Sequence, residues 1–155
     1  MFKSAIIIVV LYGQLLFSQN IDRLEFESYN TIIVDSKINI ILEPLKNNKR
    51  GKVRVRVQSK KNSFTKRISK NEYAEISNAV LKIKEKPFSQ SKDSISTKCL
   101  DGSDIFITTF SNTIKKQYHT DCISDKDKYD EYRKDFRYAS KLILETAKMR
   151  NEDLY

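Results

Sequence analysis

The chain has 155 residues and a formal charge of +9, from 29 lysines and arginines against 20 acids. Only three glycines and two prolines occur, which excludes collagen-like, linker-rich and low-complexity architectures. The length fits one domain with a modest core, and the positive balance favours anionic partners.

The chain opens MFKSAIIIVVLYGQLLFSQN. Lys3 supplies a short positive segment, Ala5–Leu11 an apolar run that Leu15–Phe17 extends, and Ser18 a small residue before a cleavage point. This layout predicts a secretory signal peptide over residues 1–18, leaving one domain over 19–155. Tyr12, Gly13 and Gln14 dilute the apolar run, whereas a spanning helix needs about 20 predominantly apolar residues. The expected location is therefore the periplasm or the extracellular space, with membrane contact only through the leader if it is retained.

After the leader, RLEFESY alternates Leu24, Phe26 and Ser28 against Glu25, Glu27 and Tyr29, as a strand does. Thr31–Val34 and Lys37–Glu43 are rich in β-branched residues and read as further strand, with a turn or bulge at Asp35-Ser36. Pro44 ends that run, and NNKRG (Asn47–Gly51) is a turn by composition. KVRVRVQS then alternates again, predicting Val53, Val55 and Val57 inward and Arg54 and Arg56 outward. The lysine-rich segment that follows reads as a loop.

Ser69 and Glu72 form the pattern S-x-x-E, a capping box. Tyr73, Ile76, Ala79, Val80 and Ile83 follow at helical spacing until Pro87. Phe88–Lys98 is polar and serine-rich, as loops are. DIFITTF (Asp104–Phe110) and IKKQYH (Ile114–His119) form a hairpin around Ser-Asn-Thr. A long amphipathic helix is expected from about Lys126 to Met149, with Tyr129, Tyr132, Phe136, Ala139, Ile143 and Ala147 inward. The predicted order is β-β-β-α-β-β-α: an α+β domain with a small antiparallel sheet of about five strands packed against two helices.

Cys99 and Cys122 are the only cysteines and flank the hairpin. Export into an oxidising compartment predicts a Cys99–Cys122 disulfide, worth roughly 3–3.5 kcal/mol for the loop it closes. A catalytic cysteine beside His119, the single histidine, lacks an orienting third group. The cluster Cys99, Asp101, Asp104, His119, Asp121 and Cys122 matches no zinc or calcium spacing, so no metal or other cofactor is expected. Ser63–Lys66 and Ser89–Lys92 each match S-x-x-K, but the companion motifs of penicillin-recognising enzymes are absent. No dinucleotide or P-loop motif is present.

The run from Lys46 to Lys70 is basic and contains one aromatic, Phe64. Nucleic-acid proteins pair a basic face with stacking aromatics or a groove-entering helix, so nucleic acid is not the expected partner. Lys52, Arg54, Arg56, Lys60, Lys61, Lys66 and Arg67 are the candidate contact, with an acidic protein or an envelope polyanion as partner. In leader and composition the chain resembles small exported bacterial proteins, a likeness that implies no activity. The expected role is a non-catalytic binding or inhibitor-type interaction protein of the cell envelope. The alternative is an exported hydrolase using acidic residues, Asp101 and Asp104, with His119.

Overall fold

The computed structural model describes residues 21–30, 32–45, 51–60, 62–84, 103–112, 114–121, 123, 125–150 and 154. The expected leader (1–18), Lys61, the loop 88–98, Asp101 and both cysteines lie outside them. No cysteine pair at disulfide distance therefore occurs among the described residues.

Six strands form one antiparallel sheet: β1 (Arg23–Asn30), β2 (Ile38–Pro44), β3 (Val53–Gln58), β4 (Ser63–Ile68), β5 (Ser103–Ser111) and β6 (Ile114–Thr120). Their spatial order is β4-β3-β2-β1-β5-β6. Helices α1 (Lys70–Leu81) and α2 (Arg133–Thr146) complete an α+β domain. Strand alternation decides which side is covered. Leu24, Phe26, Ile40, Leu42, Val55, Ile105 and Ile107 have no exposed surface, while their neighbours along each strand, Thr108 of β5 excepted, are only half-buried. Tyr73, Ile76, Ala79 and Val80 of α1 and Phe136, Ala139, Ile143 and Leu144 of α2 are buried and belong to the same core. Each fully buried Leu, Ile, Val or Phe contributes about 1.5–3 kcal/mol of transfer free energy. Among the described residues, no helix covers the opposite side of the sheet.

Three expectations need correction. The sheet has six strands, because Ser63–Ile68 is strand β4 and not loop. Ser59 N donates to Asn62 O at 2.8 Å and the Ser59 hydroxyl closes the same turn, so the chain doubles back and pairs along β3. As an edge strand, β4 buries only Ile68, and its charged residues are the usual protection of an exposed edge.

Ile32–Val34 is not strand. The Asn30 carboxamide oxygen accepts from Ile32 N (2.8 Å) and Ile33 N (3.0 Å), and the Ser36 hydroxyl accepts from Asn30 N (2.7 Å) while donating to Asn30 O (3.0 Å). These side chains satisfy the backbone that a ladder would have used. Asp35 takes φ 62 to finish the turn, and Ile32, Ile33 and Val34 are 69, 54 and 81 % exposed.

The last helix begins at Arg133, not near Lys126. Asp125–Tyr129 is a short 3-10 helix, and Asp130 interrupts it: its carboxylate accepts from Tyr132 N (2.8 Å) and Arg133 N (2.9 Å). The chain is restarted by this local cap, which leaves Tyr129, expected inward, 82 % exposed.

Candidate binding face

The uncovered side of the sheet is a plane of side chains whose neighbours are fixed by register. Arg54 stands opposite Arg67 across β3 and β4, and opposite Glu43 across β2 and β3. Arg56 stands opposite Thr65 and Ile41. Directly opposed residues have Cβ atoms about 4.5–5.5 Å apart. The Arg56 guanidinium reaches Glu43 at 3.5 Å. Among the described residues, neither Arg54 nor Arg67 has an ion-pair partner.

The seven basic residues singled out in the sequence do not share one surface. Arg54, Arg56 and Arg67 lie on the uncovered side. Lys66 is opposite Val55, hence on the helix side, and with Lys52 it acts on the Glu72 carboxylate. Lys60 sits in the β3–β4 turn and pairs with Asp35 at 3.6 Å.

Residues that the sequence did not suggest join the face from β1, β5 and β6. Phe110 is opposite Arg23 on one side and Lys115 on the other. The Arg23 guanidinium lies 5.3 Å from the Phe110 ring centroid and the Lys115 ammonium 5.9 Å, both cation–π distances. Arg23 also pairs with Glu25, and Lys37 with Glu27 at 2.9 Å. No signal in the linear sequence connects Arg23 with Lys115; only the pairing of β1 with β5 and β5 with β6 does.

Two rows along the same face, beyond Glu25, Thr108 and Gln117, Tyr29, Phe106 and His119 stack in line, with centroids 5.9 and 4.5 Å apart. His119 Nε2 lies 2.6 Å from Asp104 Oδ1. The hairpin thus joins His119 with Asp104, one of the two acids proposed to assist it; Asp101 lies outside the described residues. A histidine–carboxylate pair can orient a base. Its neighbours on the face are the Phe106 ring and Gln117, whose amide donates to Thr108 at 3.2 Å. No nucleophile is presented to it among these contacts.

A cleft of about 640 Å³ opens between β6 and the start of α2. His119 lines it, and of its two permanent cations Arg133 is engaged with Thr120 (3.0 Å), Asp121 (3.4 Å) and Asp127 (3.2 Å) and Lys84 with Glu131 (2.7 Å). No group of metal-ligating side chains occurs among the described residues, and no helix among them is long and apolar enough to cross a membrane.

No protein-family model matches this chain, and no curated protein matches it at a significant level.

Proposed function

We propose that the protein is a small exported binding protein of the bacterial cell envelope, non-catalytic, which holds an acidic partner against the uncovered face of its sheet. The observation that carries this reading is the Arg54–Arg67 opposition. Like charges directly across a strand pair are destabilising, and an anion seated between the two guanidiniums removes that repulsion while using their planar donor forks. The leader at 1–18 supports export, and the envelope offers acidic proteins and polyanions. Two experiments test the reading. Reversing charge at Arg54 and Arg67 should abolish retention on envelope fractions; unchanged retention would end it. The intact mass of native protein should begin near Gln19; a full-length mass would remove the export argument.

The same mass measurement reads the cysteines. Ile105 pairs with Thr120, so the start of β5 and the end of β6, which Cys99 precedes and Cys122 follows in sequence, share one end of the hairpin. In the exported protein we expect them oxidised, seen as a mass about two daltons lower than after reduction, the signature of one disulfide.

The Asp104–His119 contact of 2.6 Å favours a second reading, an exported hydrolase with His119 as base. Any hydrolytic activity found in the purified protein should then vanish in His119→Ala and in Asp104→Asn. Activity retained in both would exclude it.

A further inference from the structure

We infer that the partner is a linear acidic polymer of the envelope, lying across the strands along one row of six side chains. The inference rests on the binding reading above and extends it to the whole width of the sheet. Register places Lys115 opposite Phe110, Phe110 opposite Arg23, Glu43 opposite Arg54 and Arg54 opposite Arg67. The Leu24–Leu42 pairing, carried one residue further, sets Arg23 beside Glu43. The row therefore crosses every strand from β6 to β4. At about 4.8 Å per strand it spans roughly 24 Å.

Cations occupy both ends and the middle of this row. Its one acid, Glu43, is engaged by Arg56, and Glu25 is engaged by Arg23. Lys115, Arg23, Arg54, Arg67 and Arg56 face these two carboxylates, so positive charge remains in excess. A compact anion would use Arg54 and Arg67 alone. Charge spread over β6, β1, β3 and β4 instead matches anionic groups repeated along a chain. Three of the four row cations are arginines, whose forks suit carboxylate and phosphate oxygens.

The aromatic residues of this face argue against base stacking as the mode of contact. Arg23 and Lys115 cover Phe110, and Phe106 lies between Tyr29 and His119. A single-stranded nucleic acid needs free ring faces for its bases, and here the rings are occupied by neighbours. The recognisable ligand feature is thus a regular series of carboxylate or phosphodiester groups.

The test uses the full chain with polygalacturonate as the carboxylate polymer, poly(glycerol phosphate) as the phosphodiester polymer, monomeric galacturonate, and oligo(dT). Binding is titrated from 20 to 200 mM salt. By counterion release, four contacts should give a slope of log K against log salt of roughly −3 for the preferred polymer. Arg54→Gln/Arg67→Gln and Arg23→Gln/Lys115→Gln should each weaken polymer binding about tenfold and flatten the slope by roughly 1.4. Lys134→Gln/Lys141→Gln, which removes two charges from α2, should change affinity less than about threefold. The preferred polymer identifies the source of the anions. Loss in Arg54→Gln/Arg67→Gln alone would overturn the row but leave the Arg54–Arg67 contact standing. Oligo(dT) bound more tightly than either polymer, or monomer bound as well as polymer, would overturn the inference. Binding to none of the probes by wild-type protein that is still retained on envelope fractions would overturn the row while sparing the broader reading. Failure of both would end both. The wild-type salt slope decides the matter even if a variant does not fold, because a slope near −1 is incompatible with four contacts.

Discussion

Arg54 on β3 and Arg67 on β4 are direct cross-strand neighbours on the uncovered side of the sheet, and no described carboxylate pairs with either. Stability and binding therefore make opposite demands on this pair. Arg67→Glu turns a repulsive pair into an attractive one and should raise stability by about 0.2–1 kcal/mol. The same change should weaken retention on acidic polymers. Urea denaturation and polymer titration on one preparation check both signs, and a variant that loses stability would show that the opposition is not felt.

The start of α1 gives a pH-dependent prediction. Glu72 N donates to the Ser69 hydroxyl at 3.1 Å, and Ser69 N donates to the Glu72 carboxylate at 2.8 Å. The Ser69 backbone bond, then the Ser69 side chain, hold the Glu72 carboxyl below its ordinary value of 4.5. A depressed carboxyl contributes its full stabilisation above that ordinary value and loses it as pH falls through the lowered one. Glu72→Gln should flatten this part of the acid limb, measured by thermal unfolding between pH 6 and pH 3. Ser69→Ala should cost about 1 kcal/mol.

Tyr73 ties α1 to the entry of β1. Its hydroxyl donates to Ile21 O at 2.8 Å from a buried position. Burial pushes the phenol well above its ordinary value of 10.0; Ser77 opposes this and Asp22 adds to it. A raised acid keeps its stabilising contribution below the ordinary value and loses it as pH climbs towards the raised one. Alkaline unfolding above about pH 10 should thus be less steep in Tyr73→Phe than in wild type. At neutral pH that variant should be about 1–3 kcal/mol less stable, since the Ile21 carbonyl loses its partner.

Exposure separates two sets of apolar residues. Phe26 has no accessible surface, and Phe26→Ala should cost about 3–5 kcal/mol. Ile32, Ile33 and Val34 are exposed on the β1–β2 loop, and serine at each should change stability by no more than about 0.5 kcal/mol. A larger loss in the serine variants, seen in denaturant midpoints, would mean that the loop packs against the domain in solution.

Much of the fold was legible where one physical signal dominated. The alternation of Val53, Val55 and Val57 with Arg54 and Arg56 specified a half-buried strand, and all three valines are buried. Ser69 with Glu72 marked a helix start, and Tyr73, Ile76, Ala79, Val80 and Ile83 are all buried. The failures occurred where local and long-range forces compete. Ser63–Ile68 lacks an apolar period because an edge strand needs few buried residues, and β3 with the Ser59–Asn62 turn specifies it instead. Thr31–Val34 has strand-like composition, yet the Asn30 carboxamide oxygen accepts from Ile32 N and Ile33 N, and the Ser36 hydroxyl bonds the backbone of Asn30. Asp130 breaks the last helix by capping Arg133 in the middle of an amphipathic pattern. The candidate face was half visible. Arg54, Arg56 and Arg67 stood out by charge, but Arg23, Phe110 and Lys115 join them only through strand register, which the sequence does not state.

The position of β1 has a consequence for how the domain is made. It is an interior strand with β2 on one edge and β5 on the other. The β1–β4 meander can zip up among near neighbours as the chain emerges, but the second edge of β1 waits for residues 103–110. Its unpaired donors and acceptors keep the first-made half of the sheet incomplete through most of synthesis. Late closure of so distant a pairing is intrinsically slow, because the loop entropy is lost before the contacts form. For a chain exported before it folds, as we propose, such a delay is useful: the sheet stays incomplete until β5 and β6 are both available.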